Sequence, residues 1–346
     1  MSRLAARRNT GANALFPPGG TAYNRPFRPD SLPLTPSPMR PNSLAVIGLG
    51  AIGGSVAWQA RLAGVPRVVG YTLDRADAVQ ALKSAAVHDL AESPERAVKG
   101  AEMVVLAAPP GAVLELLGRI GRYLAPGAIV TDVASLKAPI LARAREAGLA
   151  DRFAGSHPFA GTHLSGWQGA SPDRLRGVIV YVCPTGPSGD HAARQVMHLW
   201  EEVFAAHPVL IEAEAHDQQL AWTSHLPQAA ATALARTLAG EASLRGASFA
   251  TGARDTTRLA ASPPAMWAEI LLMNREAVLP ALARLGERLA ELGRLLQAGD
   301  RAGLGAYLDA AAAFRTRLEQ AAGPVGAAQR RVLEDGAAVE DEPGHG

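Results

Sequence analysis

Asn42-Ser-Leu-Ala-Val-Ile-Gly-Leu-Gly-Ala-Ile-Gly-Gly-Ser55 is the stretch that decides the fold of this 346-residue chain. A short aliphatic run reaches Gly48-x-Gly50-x-x-Gly53, and an apolar-periodic, helix-forming segment follows. That strand-before, helix-after setting is what a dinucleotide-binding fingerprint requires. Gly48 permits the tight turn, Gly50 lets the backbone approach a pyrophosphate, and Gly53 lets the helix pack closely on the sheet. The free N–H groups and positive dipole end of that helix then meet the phosphates. The chain holds 35 glycines, so the spacing alone is weak; the flanking pattern gives it meaning. Gly48, Leu49, Gly50, Ala51, Ile52 and Gly53 are thus the candidate cofactor-binding backbone.

Outward from the fingerprint, apolar strands alternate with amphipathic helices. Leu44–Gly48, Val68–Tyr71, Met103–Ala107 and Ile129–Asp132 read as strands, with helices near 52–64, 75–85, 111–123 and 136–147. This alternation predicts a parallel, doubly wound sheet of Rossmann type, to which Val178–Val182 and Val209–Ile211 add later strands. Beyond about Asp217 the stretches 218–245, 263–297 and 300–321 carry helical periodicity and no strand signal. The expected organisation is a leader over 1–42, a dinucleotide-binding domain over 43–215, an all-helical domain over 216–322 and a tail over 323–346. The Pro/Arg-rich leader and the Gly/Ala-rich, acidic-ended tail are expected to be disordered. Leu271, Leu272, Val278, Leu279, Leu282, Leu285, Leu289, Leu292, Leu295 and Leu296 form a stripe too wide for one lone helix. It either packs within the monomer or joins two copies into a homodimer.

Composition narrows the function classes. At 48% hydrophobic and net charge +2, the chain supports a large core and shows no dense basic stripe for nucleic acid. No apolar run approaches the ~18–20 residues of a membrane helix. One cysteine, Cys183, excludes a disulfide framework and points to a reducing, cytoplasmic compartment.

In open α/β sheets ligands bind outside the carboxyl ends of the strands. Three such ends carry chemistry here. Ala108 and Pro109 begin a rigid turn suited to a wall beside a nicotinamide. Ser135 and Lys137 follow the strand ending at Asp132, and His157 follows Phe153 on an expected loop. Lys137 is one of only three lysines beside Lys83 and Lys99, and it is either functional or a helix-start lysine facing solvent. An imidazole at His157 suits a general base that takes a hydroxyl proton as hydride leaves the same carbon. His216 and His225 lie nine residues apart, one expected in the cleft and one structural; neither has a partner at metal-ligand spacing. Arg254 and Arg258 offer guanidinium forks for a substrate carboxylate, or else surface ion pairs.

Together and in this order the motifs resemble the prephenate/arogenate (cyclohexadienyl) dehydrogenases of tyrosine biosynthesis. The matching elements are residues 48–55, Thr131–Lys137, Gly155–Thr162, His216–Gln218, Ser224–Pro227, Asp255–Ala260 and Met266–Trp267, within about residues 43–320. The resemblance implies oxidative decarboxylation with hydride transfer to NAD or NADP. It implies His157 as base at the ring C4 hydroxyl, Ser135 as its partner there, and Arg258 on a substrate carboxylate. His225 would line the pocket and Trp267 wall it, and Lys137, Thr162 and Ser224 complete the expected substrate-binding set. Two departures stand out. His163 occupies a position commonly acidic in such enzymes. Thr72 fills the slot about 20 residues past the glycines where NAD users place a carboxylate, with Asp74 and Arg75 nearby. NADP is therefore expected to be accepted at least as well as NAD, with Thr72, Arg75, Ala108 and Pro109 joining the cofactor set. The flanks are expected to be too short for a fused mutase or regulatory domain, leaving any tyrosine feedback to the active site. The alternatives are another two-domain NAD(P)-dependent hydroxyacid dehydrogenase using Lys137 as acid/base, and a non-catalytic nucleotide-binding sensor.

Overall fold

The fingerprint folds as its spacing requires. In the computed structural model, which describes residues 40–161, 164–244 and 246–321, strand β1 (Ser43–Ile47) ends at Gly48 and helix α1 (Ala51–Leu62) begins after Gly50. Gly48 takes φ +98, and a Cβ there would stand 2.1 Å from the carbonyl oxygen of Ala107. A Cβ on Gly53 would stand 1.9 Å from the Gly48 carbonyl oxygen, so both positions exclude any side chain.

Five parallel strands form the first sheet, in the order β3 (Asp89–Leu90), β2 (Arg67–Tyr71), β1, β4 (Met103–Leu106), β5 (Ile129–Asp132). Ile47 pairs with Tyr71 on one side and Leu106 on the other, which aligns the carboxyl ends along one edge. Helices α2 (Arg75–Lys83), α3 (Pro94–Ala97), α4 (Pro110–Ile120) and α5 (Ala138–Glu146) lie between the strands. Alternate strand residues serve opposite layers. Leu44 and Val46 pack with Val56, Ala57 and Ala60 of α1, whereas Ala45 and Ile47 face the layer of Val113, Leu117, Ile140 and Leu141.

The five-stranded sheet is parallel as expected, and the strands after it depart from that pattern. Strand β6 (Ala154–Pro158) continues the sheet through a parallel bridge between Val130 and Phe153. The chain then returns antiparallel in β7 (Ile179–Pro184), and β8 (His207–Leu210) pairs parallel to β7 after helix α6 (Asp190–His198). This three-stranded sheet, β6-β7-β8, is therefore mixed. Its reversal goes with the connection between β6 and β7, in which the described residues of 159–178 include no crossover α-helix to bring β7 back in the direction of β6.

From Ala213 the chain is helical. Helices α7 (Ala213–Leu220) and α8 (Leu226–Gly240) are joined by a π-turn, Ala221–His225. Pro227 has no N–H for the carbonyl four residues earlier, and the helix widens just before it. Helices α9 (Thr251–Thr257), α10 (Pro264–Met273), α11 (Arg275–Ala298) and α12 (Arg301–Ala321) follow. Of the expected leucine stripe, Val278 is buried, whereas Leu272, Leu279, Leu289 and Leu296 are each about 60% exposed or more.

The expected disorder of the tail, and of the leader before Arg40, concerns residues outside those described. Residues 40–42 are described, and they are bound: Arg40 Nη1 donates to the Ala63 carbonyl at 2.7 Å and Asn42 N to Glu102 Oε2 at 2.8 Å.

Candidate active site

At the carboxyl edge of the sheet the first turn of α1 carries no acidic residue and no side-chain cap. Its N–H groups are left to an anion, which fits the pyrophosphate of a dinucleotide. Beside it, Ala108 and Pro109 form the turn into α4, with Pro109 exposed at the N-cap. Gly111 N donates to Glu269 Oε2 of α10 at 3.1 Å, tying this wall to the helical segment. Leu49 offers only backbone, because its side chain is fully buried against Gly70. At the end of β2, Thr72 is half-buried and Arg75 exposed. Asp74 is the N-cap of α2, where Oδ1 accepts from Ala76 N at 2.7 Å and Asp77 N at 3.1 Å.

One polar network joins the remaining candidates. His157, in β6, places Nδ1 at 2.9 Å from His216 Nε2 of α7. His216 Nδ1 lies 2.7 Å from Asp217 Oδ1. Asp217 in turn accepts from Lys137 N and Ala138 N, both at 2.8 Å, at the start of α5, whose own N-cap supplies no side-chain bond. Asn274, between α10 and α11, donates through Nδ2 to the Asp217 carbonyl at 2.8 Å and to His225 Nδ1 at 3.0 Å. Because Nδ2 is a donor, His225 Nδ1 is an acceptor and its hydrogen sits on Nε2. That Nε2 is buried with no partner among the described residues, a donor available to a bound acceptor.

Burial dominates the electrostatics. Desolvation holds His157 well below the ordinary imidazole value, with His216, Lys137 and His225 pushing the same way. Burial likewise lowers His216, against the pull of Asp217, and takes His225 down to about 4. All three rings are thereby kept neutral near pH 7. Phe159 and Tyr181 close around them, edge-on to His157 and His216 respectively.

The structure corrects two expectations. His157 sits in a strand rather than a loop, paired across to Tyr181 of β7. Lys137 reaches neither cleft nor solvent: it is fully buried, its Nζ bonded to the Asp132 carboxylate and, at 2.8 Å, to the Ser156 carbonyl. Desolvation raises Asp132 above the ordinary carboxylate range, and the Lys137 charge acts against that shift. The pair braces β5 against β6, and an ammonium so enclosed is withdrawn from substrate binding and from acid/base chemistry.

The other candidates fall as follows. Ser135, half-buried, lies just past β5, the neighbour of β6. Trp267 of α10 meets the His225 ring edge-on at 5.9 Å between centroids. Ser224 is half-buried in the π-turn beside His225. Arg258 is exposed and opens the 3-10 turn Arg258–Ala261, which Gln228 holds through the Leu259 carbonyl. Thr162 and His163 lie outside the described residues. Sequence reasoning left His216 as one of two alternatives for the cleft and did not single out Asp217 or Asn274; the adjacent His-Asp pair at a helix start was the visible signal.

Comparison with known proteins shows the family. Residues 56–209 match the prephenate dehydrogenase nucleotide-binding domain and residues 212–310 the prephenate dehydrogenase dimerization domain. The chain is 31% identical over 261 residues to a prephenate dehydrogenase of Bacillus subtilis, covering 73% of this chain and 69% of that protein. It is 30% identical over 246 residues to a cyclohexadienyl dehydrogenase of Zymomonas mobilis, covering 69% and 83%. Prephenate dehydrogenase from A. aeolicus, crystallised with hydroxyphenyl propionate and NAD+, superposes with a TM-score of 0.74 at 28% identity, over 80% of this chain and 98% of that one. With both domain matches in chain order across most of the described residues, the chain belongs to the prephenate dehydrogenase family.

Proposed function

We propose that this chain oxidises and decarboxylates a cyclohexadienyl acid, prephenate or arogenate, in tyrosine biosynthesis with NAD(P). The observation that carries this reading is His157, a neutral imidazole at the carboxyl end of β6, on the strand edge that also holds the glycine cradle. When bound there, the nicotinamide supplies the hydride acceptor. His157 Nε2 accepts the proton of the ring C4 hydroxyl, and Ser135 shares and orients that hydroxyl. Arg258 holds a substrate carboxylate, while His225, Ser224 and Trp267 line the pocket. Loss of the ring carboxylate as CO₂ leaves an aromatic ring, so alignment of the reacting carbons is the protein's main task. Assay of the purified protein with prephenate and arogenate, each with NAD and NADP, is expected to give turnover with at least one pair. Turnover of a 3-hydroxy acid and of neither cyclohexadienyl acid would overturn the proposal.

NADP is proposed to serve at least as well as NAD. The support is that Thr72, not a carboxylate, fills the slot at the end of β2, that Asp74 Oδ1 is engaged in capping α2, and that Arg75 is exposed beside them. Thr72→Asp is expected to shift the ratio of kcat/KM values towards NAD. A native preference for NAD above about tenfold, ~1.4 kcal/mol, would reverse the assignment.

A homodimer through the helical segment is also proposed. Leu272, Leu279, Leu289 and Leu296 would be left in water by a single chain, and a second copy covers them. Light scattering is expected to give twice the chain mass for the native protein and a shift towards monomer for Leu289→Glu with Leu296→Glu. An unchanged mass in the double variant would locate the contact elsewhere. We place the enzyme in the cytoplasm on its single cysteine; among the described residues no helix is long and apolar enough to cross a membrane.

A further inference from the structure

We infer that Asp217 and His216 are positioning residues that fix His157 in the one tautomer able to accept a proton through Nε2. The inference rests on the reading of His157 as the base, and its argument is a count of hydrogens along three side chains.

Asp217 is held as an acceptor. Its two oxygens receive Lys137 N and Ala138 N at the positive end of α5, where a carboxylate is favoured. His216 Nδ1, 2.7 Å from Oδ1, must therefore carry the hydrogen and donate it. A neutral His216 then has a bare Nε2, which can only accept. Its neighbour at 2.9 Å is His157 Nδ1, so the His157 hydrogen resides on Nδ1 and Nε2 is bare. No described residue bonds to that Nε2. An isolated imidazole favours the opposite arrangement, with hydrogen on Nε2, which could not take a proton from the hydroxyl. The relay thus selects the less favoured tautomer at the position where it is needed. When the substrate O–H bond breaks and an N–H bond forms at His157 Nε2, the resulting imidazolium is stabilised through His216 by Asp217 without a second proton transfer. The placement is rigid. His216 is fully buried, Asp217 nearly so, and Asn274 anchors the Asp217 carbonyl from the opposite side.

Two variants and one spectrum test this. Asp217→Asn presents an amide nitrogen to His216 Nδ1, which drives the hydrogen to His216 Nε2 and then to His157 Nε2. The expected loss is roughly 10²–10⁴-fold in kcat with KM nearly unchanged. His216→Gln keeps an oxygen to accept from His157 and an N–H for Asp217, and is expected to retain kcat within about tenfold. Should Asp217→Asn fail to fold because α5 loses its cap, the native protein still gives an answer. Long-range ¹H–¹⁵N spectra of histidine-labelled enzyme without substrate, assigned with His157→Gln and His216→Gln, should show hydrogen on Nδ1 of both rings. Hydrogen on Nε2 of His157, or full kcat in folded Asp217→Asn, would overturn the relay. Absence of turnover by the native enzyme with either cyclohexadienyl acid would instead remove the base reading, whatever the spectra show.

Discussion

Replacing His157 with Asn is expected to lower kcat by roughly 10²–10⁴-fold while KM changes little, the loss typical of a removed general base. Asn keeps a hydrogen-bonding group at the end of β6 and can still face His216, so binding geometry survives while the titrating nitrogen is lost. The native pH profile carries a second mark of the same residue. The active form is unprotonated, so rate is lost as pH falls through the His157 pKa. Desolvation depresses that pKa well below 6.5, and the titratable groups that push it the same way are His216 from α7, Lys137 from the start of α5 and His225 from the π-turn. The acid limb of kcat is therefore expected below the ordinary imidazole range. Steady-state kinetics across pH check both statements; an unchanged kcat in the variant would remove His157 from the mechanism.

Arg258→Ala is expected to raise KM for substrate by roughly 30- to 800-fold, ~2–4 kcal/mol for a lost charge-assisted contact to a desolvated carboxylate. Cofactor affinity should stay near native. Helix α11 pairs three of its arginines with acids of the same helix, in Arg275–Glu276, Arg284–Glu287 and Arg288–Glu291. Arg258 takes part in no ion pair among the described residues, although its 3-10 turn is tied to α8 through Gln228. A fixed backbone under an uncommitted guanidinium suits an external carboxylate. Equal weakening of cofactor and substrate, measured by titration and kinetics, would point to a folding or closure defect instead.

The elements legible in the sequence are those whose local pattern agrees with their final setting. The fingerprint, β1, β2, β4, β5 and their helices show apolar runs, glycines and turns at the right spacing, and they sit within a few residues of expectation. Strand β6 was invisible because Ala154-Gly-Ser-His-Pro158 has no β-branched residue; it is a strand through its neighbours, β5 on one side and β7 on the other. The two-residue β3 is likewise a product of pairing with β2. In the site, the glycines and His157 stood out by position along strand ends. The relay did not, since His157 and His216 are separated by 59 residues and meet only when α7 packs against the sheet. A search for metal spacing around His216 looked along its own helix, and the partner lay across the fold.

Lys137 shows what a compositional outlier can mean. The chain uses arginine for nearly every cation, and Lys83 and Lys99, its other lysines, face solvent. At 137 the ammonium is wedged between a carboxylate and a carbonyl, its stem lying over Gly155, where a Cβ would come within 3.0 Å of Cδ. A compact charge fits such a slot. A flat guanidinium with five donors would be too broad, and its unanswered N–H groups would each carry a desolvation cost. The one buried lysine of this chain therefore marks a narrow slot, and the missing side chain at Gly155 leaves room for its stem and for Leu141 Cδ1, which would stand 2.8 Å from a Cβ there.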